Sequence, residues 1–187
     1  MTAMLLLVVV VLLVLPVLYG IGTYNGLVRK RQNVRESWSA IDTELRRRYD
    51  LIPNLVETVK GYATHERETL ENVIRARNAA ISNTGTPAQQ AETENALSGA
   101  LRQIFALSEA YPQLQANASF TNLQAQLNET ETRISQARRF YNANVREINT
   151  AVESFPSNVF AGMFGFKAEE YFEIEDAAAR ENVQVKF

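Results

Sequence analysis

Between Met4 and Ile21 the chain carries no charged side chain, and this run constrains the fold more than anything after it. It opens MLLLVVVVLLVLPVL, with Met4, Leu5, Val10 and Leu13 typical of its content, Pro16 inside it and Tyr19 near its end. A hydrocarbon core of ~30 Å takes roughly twenty helical residues at ~1.5 Å each. The run is just long enough, and Tyr19 and Tyr24 fall where interfacial aromatics sit. A proline near the end of a lipid-embedded helix is tolerated, because the freed carbonyl finds local partners. A cleaved signal peptide is the alternative. It requires a basic stretch before the run and a small-x-small cleavage site after it. No Lys or Arg precedes the run here and no A-x-A follows, so residues 1–21 are expected to be a retained anchor.

Arg29, Lys30, Arg31 and Arg35 follow the run, whereas no basic side chain precedes it. The positive-inside rule then places the N-terminus outside and the following domain in the cytoplasm. The absence of cysteine agrees with a cytosolic domain without requiring one. The same basic residues would be drawn to anionic headgroups by about 1 kcal/mol each. The net charge of −2 leaves no basic footprint for nucleic acid, so none is expected as a partner. The expected partners are the lipid bilayer, further copies of the chain, and proteins whose identity the sequence does not specify.

The remaining residues suffice for one domain with a real core. Pro53, Pro87, Pro112 and Pro156 cut it into four long segments. The first, from about Gly22 to Tyr49, places Val34, Trp38, Ile41 and Leu45 on one helical face. The second, from Asp50 to Asn83, is expected to start with Asp50 as N-cap and Pro53 in the first turn. Its stripe reads Val56, Val59, Ala63, Leu70, Ile74 and Ile81. The third opens on Thr86-Pro87, a cap followed by a first-turn proline, with Leu97, Leu101, Ile104, Leu107 and Tyr111 on its face.

The fourth, from about Ala118 to Val152, repeats apolar residues every seven positions: Phe120, Leu127, Ile134, Tyr141 and Ile148. That interval holds one seam toward a partner helix. Alternating strand patterns are missing. The expectation is an all-α chain: a single-pass transmembrane helix, an antiparallel four-helix bundle of long helices over 22–154, and an apolar, aromatic segment with an acidic tail over 155–187.

Motifs for chemistry are scarce. His65 is the sole histidine, which excludes sites built from several His ligands. No phosphate-binding glycine loop, nucleophile elbow or paired Glu-x-x-His motif occurs, so no enzyme activity, metal or cofactor is expected. Gly22 and Gly26 form a G-x-x-x-G at the apolar edge, a spacing that lets membrane helices approach closely. Glu131 and Arg138, and the cluster Arg47, Arg48 and Asp50, could form ion pairs that set helix register, or lie on solvated faces. Phe160, Phe164 and Phe166, in the stretch VFAGMFGF, could cap the bundle, bind a partner or dip into the membrane interface.

Several strings occur in a distinctive order behind the anchor. They are RRYDLIPNLV from Arg47, ETVKGYATHE from Glu57, EAYP from Glu109, ETRI from Glu131, ARRFYN from Ala137, FP at Phe155 and FGFKAEEYF from Phe164. In this order they resemble the LemA family of bacterial membrane proteins, over nearly the whole chain. The resemblance implies an anchored helical bundle with no established catalytic activity and no active-site residues to carry over. Part of that family is associated with magnetosome membranes, which implies a role in membrane organisation. Two functions follow as expectations: a membrane-tethered, self-associating scaffold, or a protein that shapes the bilayer directly.

Overall fold

A computed structural model describes residues 1–63 and 65–173. Among them every regular element is helical: α1 (Thr2–Lys60), α2 (Arg67–Ser82), α3 (Pro87–Ser108), α4 (Pro112–Gln115), α5 (Ala118–Glu153) and α6 (Ser157–Met163). The all-α class and the long apolar N-terminal helix agree with expectation, but six helices take the place of an anchor and four. Most of the acidic tail lies outside the described residues.

The largest departure is α1. The anchor and the first segment are not separate helices meeting near Gly22, and Pro53 does not open a second helix. One helix of 59 residues carries both, roughly 90 Å at 1.5 Å per residue. Asp50 lies within it and caps nothing. Proline in a helix interior removes the N–H that would bond the carbonyl four residues earlier. For Pro53 that carbonyl belongs to Tyr49, and Arg77 Nε on α2 donates to it at 2.7 Å. The bond missing from the helix ladder is thus supplied by a neighbouring helix.

The break comes at Gly61 instead. The amides of Tyr62 and Ala63 both bond the Val59 carbonyl, at 3.0 and 2.9 Å, and α2 begins at Arg67. This resets the helical phase. On α2 the buried residues are Leu70, Val73 and Ala80, whereas Ile74 and Ile81 are exposed. The stripe expected from the sequence does not continue there, because the break at Gly61 separates the two helical phases.

The third and fourth segments form as their ends suggest. Thr86 and Gln89 make a reciprocal capping box, with the Thr86 amide donating to Gln89 Oε1 at 3.0 Å. Asn117 Oδ1 accepts the Phe120 amide at 2.9 Å at the start of α5.

The chain divides into two compact units. The first comprises residues 1–40 and 139–169, the second residues 41–138 and the chain from Glu170 onward. In the first, Leu27, Val34, Tyr141, Val145 and Ile148 are buried. Lys30 Nζ meets Glu147 at 2.9 Å, Asn144 Nδ2 donates to the Asn33 carbonyl at 3.4 Å, and the rings of Trp38 and Tyr141 lie 5.4 Å apart. Numbers rise along α1 as they fall along α5. In the second, Ile41, Ile52, Val59, Leu97, Ile104 and Leu114 are buried along with Phe120, Leu127 and Ile134. All five residues of the seven-residue seam are therefore buried, three in one unit and two in the other.

Candidate functional site

The first unit presents an aromatic cluster where the apolar run ends. Residues 4–19 of α1 are exposed all round, and the window over this run is long and apolar enough to cross a membrane. Gly20 is the first buried position on α1, because Phe160 of α6 lies against the helix there. A methyl group added at Gly20 would sit 2.6 Å from the Phe160 ring, so the missing side chain is what admits α6 this close. Tyr19 meets Phe160 with ring centroids 5.7 Å apart, and Tyr24 meets Phe164 at 4.9 Å and Phe166 at 5.9 Å. These tilted and edge-on geometries favour the ring quadrupoles.

Local backbone chemistry fixes the turn after α6. Gly165 has φ 71°, the left-handed conformation that glycine adopts without strain. The Phe166 amide bonds the Ala161 carbonyl at 2.9 Å and the Gly165 amide bonds that of Gly162 at 3.3 Å. This is a Schellman termination, in which the residue beyond the glycine packs back on the last turn. Phe166 does so, in a buried cluster with Leu27 and Ala161. Further on, Asn149 clamps the Glu169 backbone, accepting its N–H at 2.8 Å and donating to its carbonyl at 3.0 Å.

The expected site residues thus separate by role. Phe166 is buried, Phe160 is half-buried and Phe164 is 53% exposed. Of the basic residues, Arg29 and Arg35 are exposed, Lys30 pairs with Glu147, and the Arg31 guanidinium lies 4.9 Å over the Phe166 ring. Met4, Leu5, Val10 and Leu13 stand exposed on the apolar helix, while Pro16 borders a groove of about 440 Å³ formed with α6. The other lining residues are Val17, Gly20, Ile21, Tyr24, Phe160, Met163 and Phe164.

The second unit contains a buried polar network. Arg48 of α1 and Glu94 of α3 have side-chain exposures of 1% and 0%, and are joined by an ion pair. Arg48 also donates to Glu131 of α5 at 2.6 Å and to Ser98 at 3.2 Å. The Tyr49 hydroxyl donates to the other Glu94 oxygen, and Gln90 Nε2 lies 3.1 Å from that same oxygen. Burial first, and the Glu94 charge second, push the Tyr49 phenol well above its ordinary value of 10.0. Such a network fixes which turns of three helices face one another.

Arg48 and Glu131 were both marked by the sequence as candidates for register-setting ion pairs. Glu94 was missed. Its signal was phase: Gln90 and Glu94 precede Leu97 and Leu101 at helical spacing, on the same inward stripe. A carboxylate in that phase demands a buried partner. His65 is exposed, and among the described residues no group of three His, Cys, Asp or Glu side chains could hold a metal ion.

Comparison with known proteins gives a family model, LemA family, matching residues 37–187. Magnetosome protein MamQ 2 of Paramagnetospirillum magneticum is 25% identical over 179 residues, covering 82% of this chain and 66% of that protein. Magnetosome protein MamQ of Magnetospirillum gryphiswaldense is 23% identical over 174 residues, covering 80% and 64%. Protein LemA of Metamycoplasma hominis is 25% identical over 145 residues, covering 75% and 64%. The match to these relatives therefore spans slightly less than two thirds of their length.

Proposed function

This chain belongs to the LemA family, and from that premise we propose that it is a membrane-tethered helical scaffold, organising protein partners or copies of itself without catalysing a reaction. The observation that carries the reading is the continuity of α1. Its exposed apolar turns pass without interruption into turns that bury Leu27 and Val34. A tether made this way transmits position and orientation from the bilayer to the packed helices, as a flexible linker would not.

The finer architecture belongs to the same proposal. The opposed numbering of Lys30 with Glu147 and Asn33 with Asn144, and of Glu44 with Arg133, supports antiparallel packing of the long helices. Arg29, Lys30, Arg31 and Arg35 support an outside N-terminus and a cytoplasmic body. A C-terminal reporter that fluoresces only in the cytoplasm should light up. Signal only from a reporter active outside would reverse the orientation.

Self-association is tested by crosslinking the full-length protein in membranes and sizing the products. Discrete multimers, or a defined second protein, are expected. A strictly monomeric chain with no crosslinked partner at high surface density would overturn the scaffold reading.

A second reading, direct shaping of the bilayer, is favoured by one observation. Met163 and Phe164 at and just after the end of α6 are exposed beside the end of the apolar run. The relatives named as magnetosome proteins give it context. Liposomes carrying the purified protein should tubulate, and Phe164→Ser together with Met163→Ser should abolish the effect. Unchanged vesicles would remove this reading.

A further inference from the structure

We propose that the groove between α1 and α6 is a binding site for one anionic phospholipid, with an acyl chain lying in the groove and the phosphate held by Arg31. The inference rests on the reading of residues 4–21 as a membrane span and adds to it a defined ligand.

Three observations converge on this occupant. The α1 wall of the groove, Pro16, Val17, Gly20 and Ile21, consists of the last turns of the apolar run itself, so the groove opens at acyl-chain depth. Its volume of about 440 Å³ falls within the range of small-molecule pockets, roughly 300–1,000 Å³. Its lining is almost wholly apolar, which suits hydrocarbon and not a charged or sugar-like ligand.

The headgroup side is built as well. Tyr24 lines the groove and its ring lies 5.9 Å from that of Phe166, and the Arg31 guanidinium lies over that same ring. Gly20, Tyr24, Leu27 and Arg31 are four, three and four residues apart, hence on one face of α1. Helical side chains lean toward the N-terminus, which carries the Arg31 charge back toward the apolar run. Arg31 Nε is buried without a hydrogen-bond partner, and among the described residues no carboxylate pairs with its guanidinium. Lys30, one residue away, is by contrast neutralised by Glu147. An unpaired guanidinium above an apolar groove matches a phosphate above an acyl chain.

The same groove could instead receive α1 from a second copy. The experiment separates the two. Full-length protein is placed in phosphatidylcholine vesicles containing a minority of phosphatidylglycerol that bears a diazirine in its acyl chain. After photolysis the labelled peptides are mapped, and retention of the protein in carbonate-washed vesicles is read in parallel. Label should concentrate on residues 157–164 and on 16–24. Arg31→Gln should cut the preference for this probe over a matched phosphatidylcholine probe by about fivefold, the effect of one basic side chain near an anionic surface, while Arg31→Lys should keep most of it.

Gly20→Leu should displace the label but also disturbs Phe160. Val17→Trp fills the groove from an exposed position and should give the same loss without that disturbance. Even labelling along residues 4–21 by both probes, unchanged in Val17→Trp, would overturn the site while leaving the anchor intact. Crosslinks joining two copies through groove residues would assign the groove to a second chain. Loss of the protein from washed vesicles would overturn both the anchor and the site.

Discussion

The two units handle their polar groups in opposite ways. In the first, the described ion pair is half exposed: Lys30 meets a largely exposed Glu147, Arg31 lies on a ring, and Tyr19 and Tyr24 of α1 meet three phenylalanines on and after α6. In the second, Arg48 and Glu94 are taken fully out of water, with Tyr49 and Gln90 around them. Ring contacts are worth about 0.5–1.5 kcal/mol each beyond their buried area. A buried ion pair adds little net stability, but breaking it strands a charge at a cost of about 3–5 kcal/mol. A single exposed ring substituted in the first is expected to cost less than one partner of the buried pair removed in the second. That difference suits a surface that meets lipid and a body that must hold one alignment.

The comparison breaks first at Glu94. Glu94→Ala should destabilise by about 3–5 kcal/mol, because the buried Arg48 loses its one fully buried counter-charge and keeps only Ser98 and the half-exposed Glu131. At about 2–4 °C per kcal/mol for a domain of this size, the melting temperature should fall by roughly 6–20 °C. Replacing both partners, Arg48→Met with Glu94→Leu, should recover most of the loss. A shift of a degree or two for Glu94→Ala would mean the pair is wet, and the contrast between the units would vanish.

Apolar truncation comes next. Leu127→Ala or Ile134→Ala should cost about 2–5 kcal/mol each, since both lie buried on the seam. Near-zero shifts for both would mean that the seam faces another molecule.

Alkali sharpens the comparison further. Folded Tyr49 holds its proton above the ordinary tyrosine value of 10.0, whereas the unfolded chain loses it there. Its contribution is therefore fully present below that value and disappears as pH rises beyond it. Urea midpoints measured from about pH 9 to 11 should fall on the alkaline side, and Tyr49→Phe should flatten that limb. An equally steep limb in the variant would assign the effect elsewhere.

The smallest effect is expected at the membrane-proximal rings. Phe164→Ser should change the melting of the body by no more than about 1.5 kcal/mol equivalent, because the ring is half in solvent. A collapse as large as that of Glu94→Ala would show that the aromatic cluster is structural in the same sense.

What the sequence made legible follows from how local each signal is. Thr86-Pro87 announced α3 because a cap and a first-turn proline act within one turn. The interval of seven announced α5 because it links five apolar residues without a break. Pro53 misled because its local rule was overridden at long range: Arg77, more than twenty residues later, completes the bond that proline removes. Glu94 was hidden for a related reason, since its partner Arg48 lies on another helix and no spacing links them. Phe166 read as one of three equivalent aromatics until the backbone turn at Gly165 set it apart.

The central claim is that one helix crosses the membrane and continues unbroken into the packed body. A nitroxide scan along α1 tests it, and the chain lacks cysteine, so single labels can be introduced directly. Accessibility to oxygen and to a water-soluble nickel reagent is read at each position from residue 4 to residue 41 in vesicles. The account predicts oxygen-rich, nickel-poor labels throughout residues 4–19, on every side of the helix. Beyond Gly20 it predicts a helical period with minima for both reagents at Leu27, Val34 and Ile41. Nickel-accessible labels across residues 4–19, or a stretch near Gly22 and Gly26 with no helical period, would contradict it.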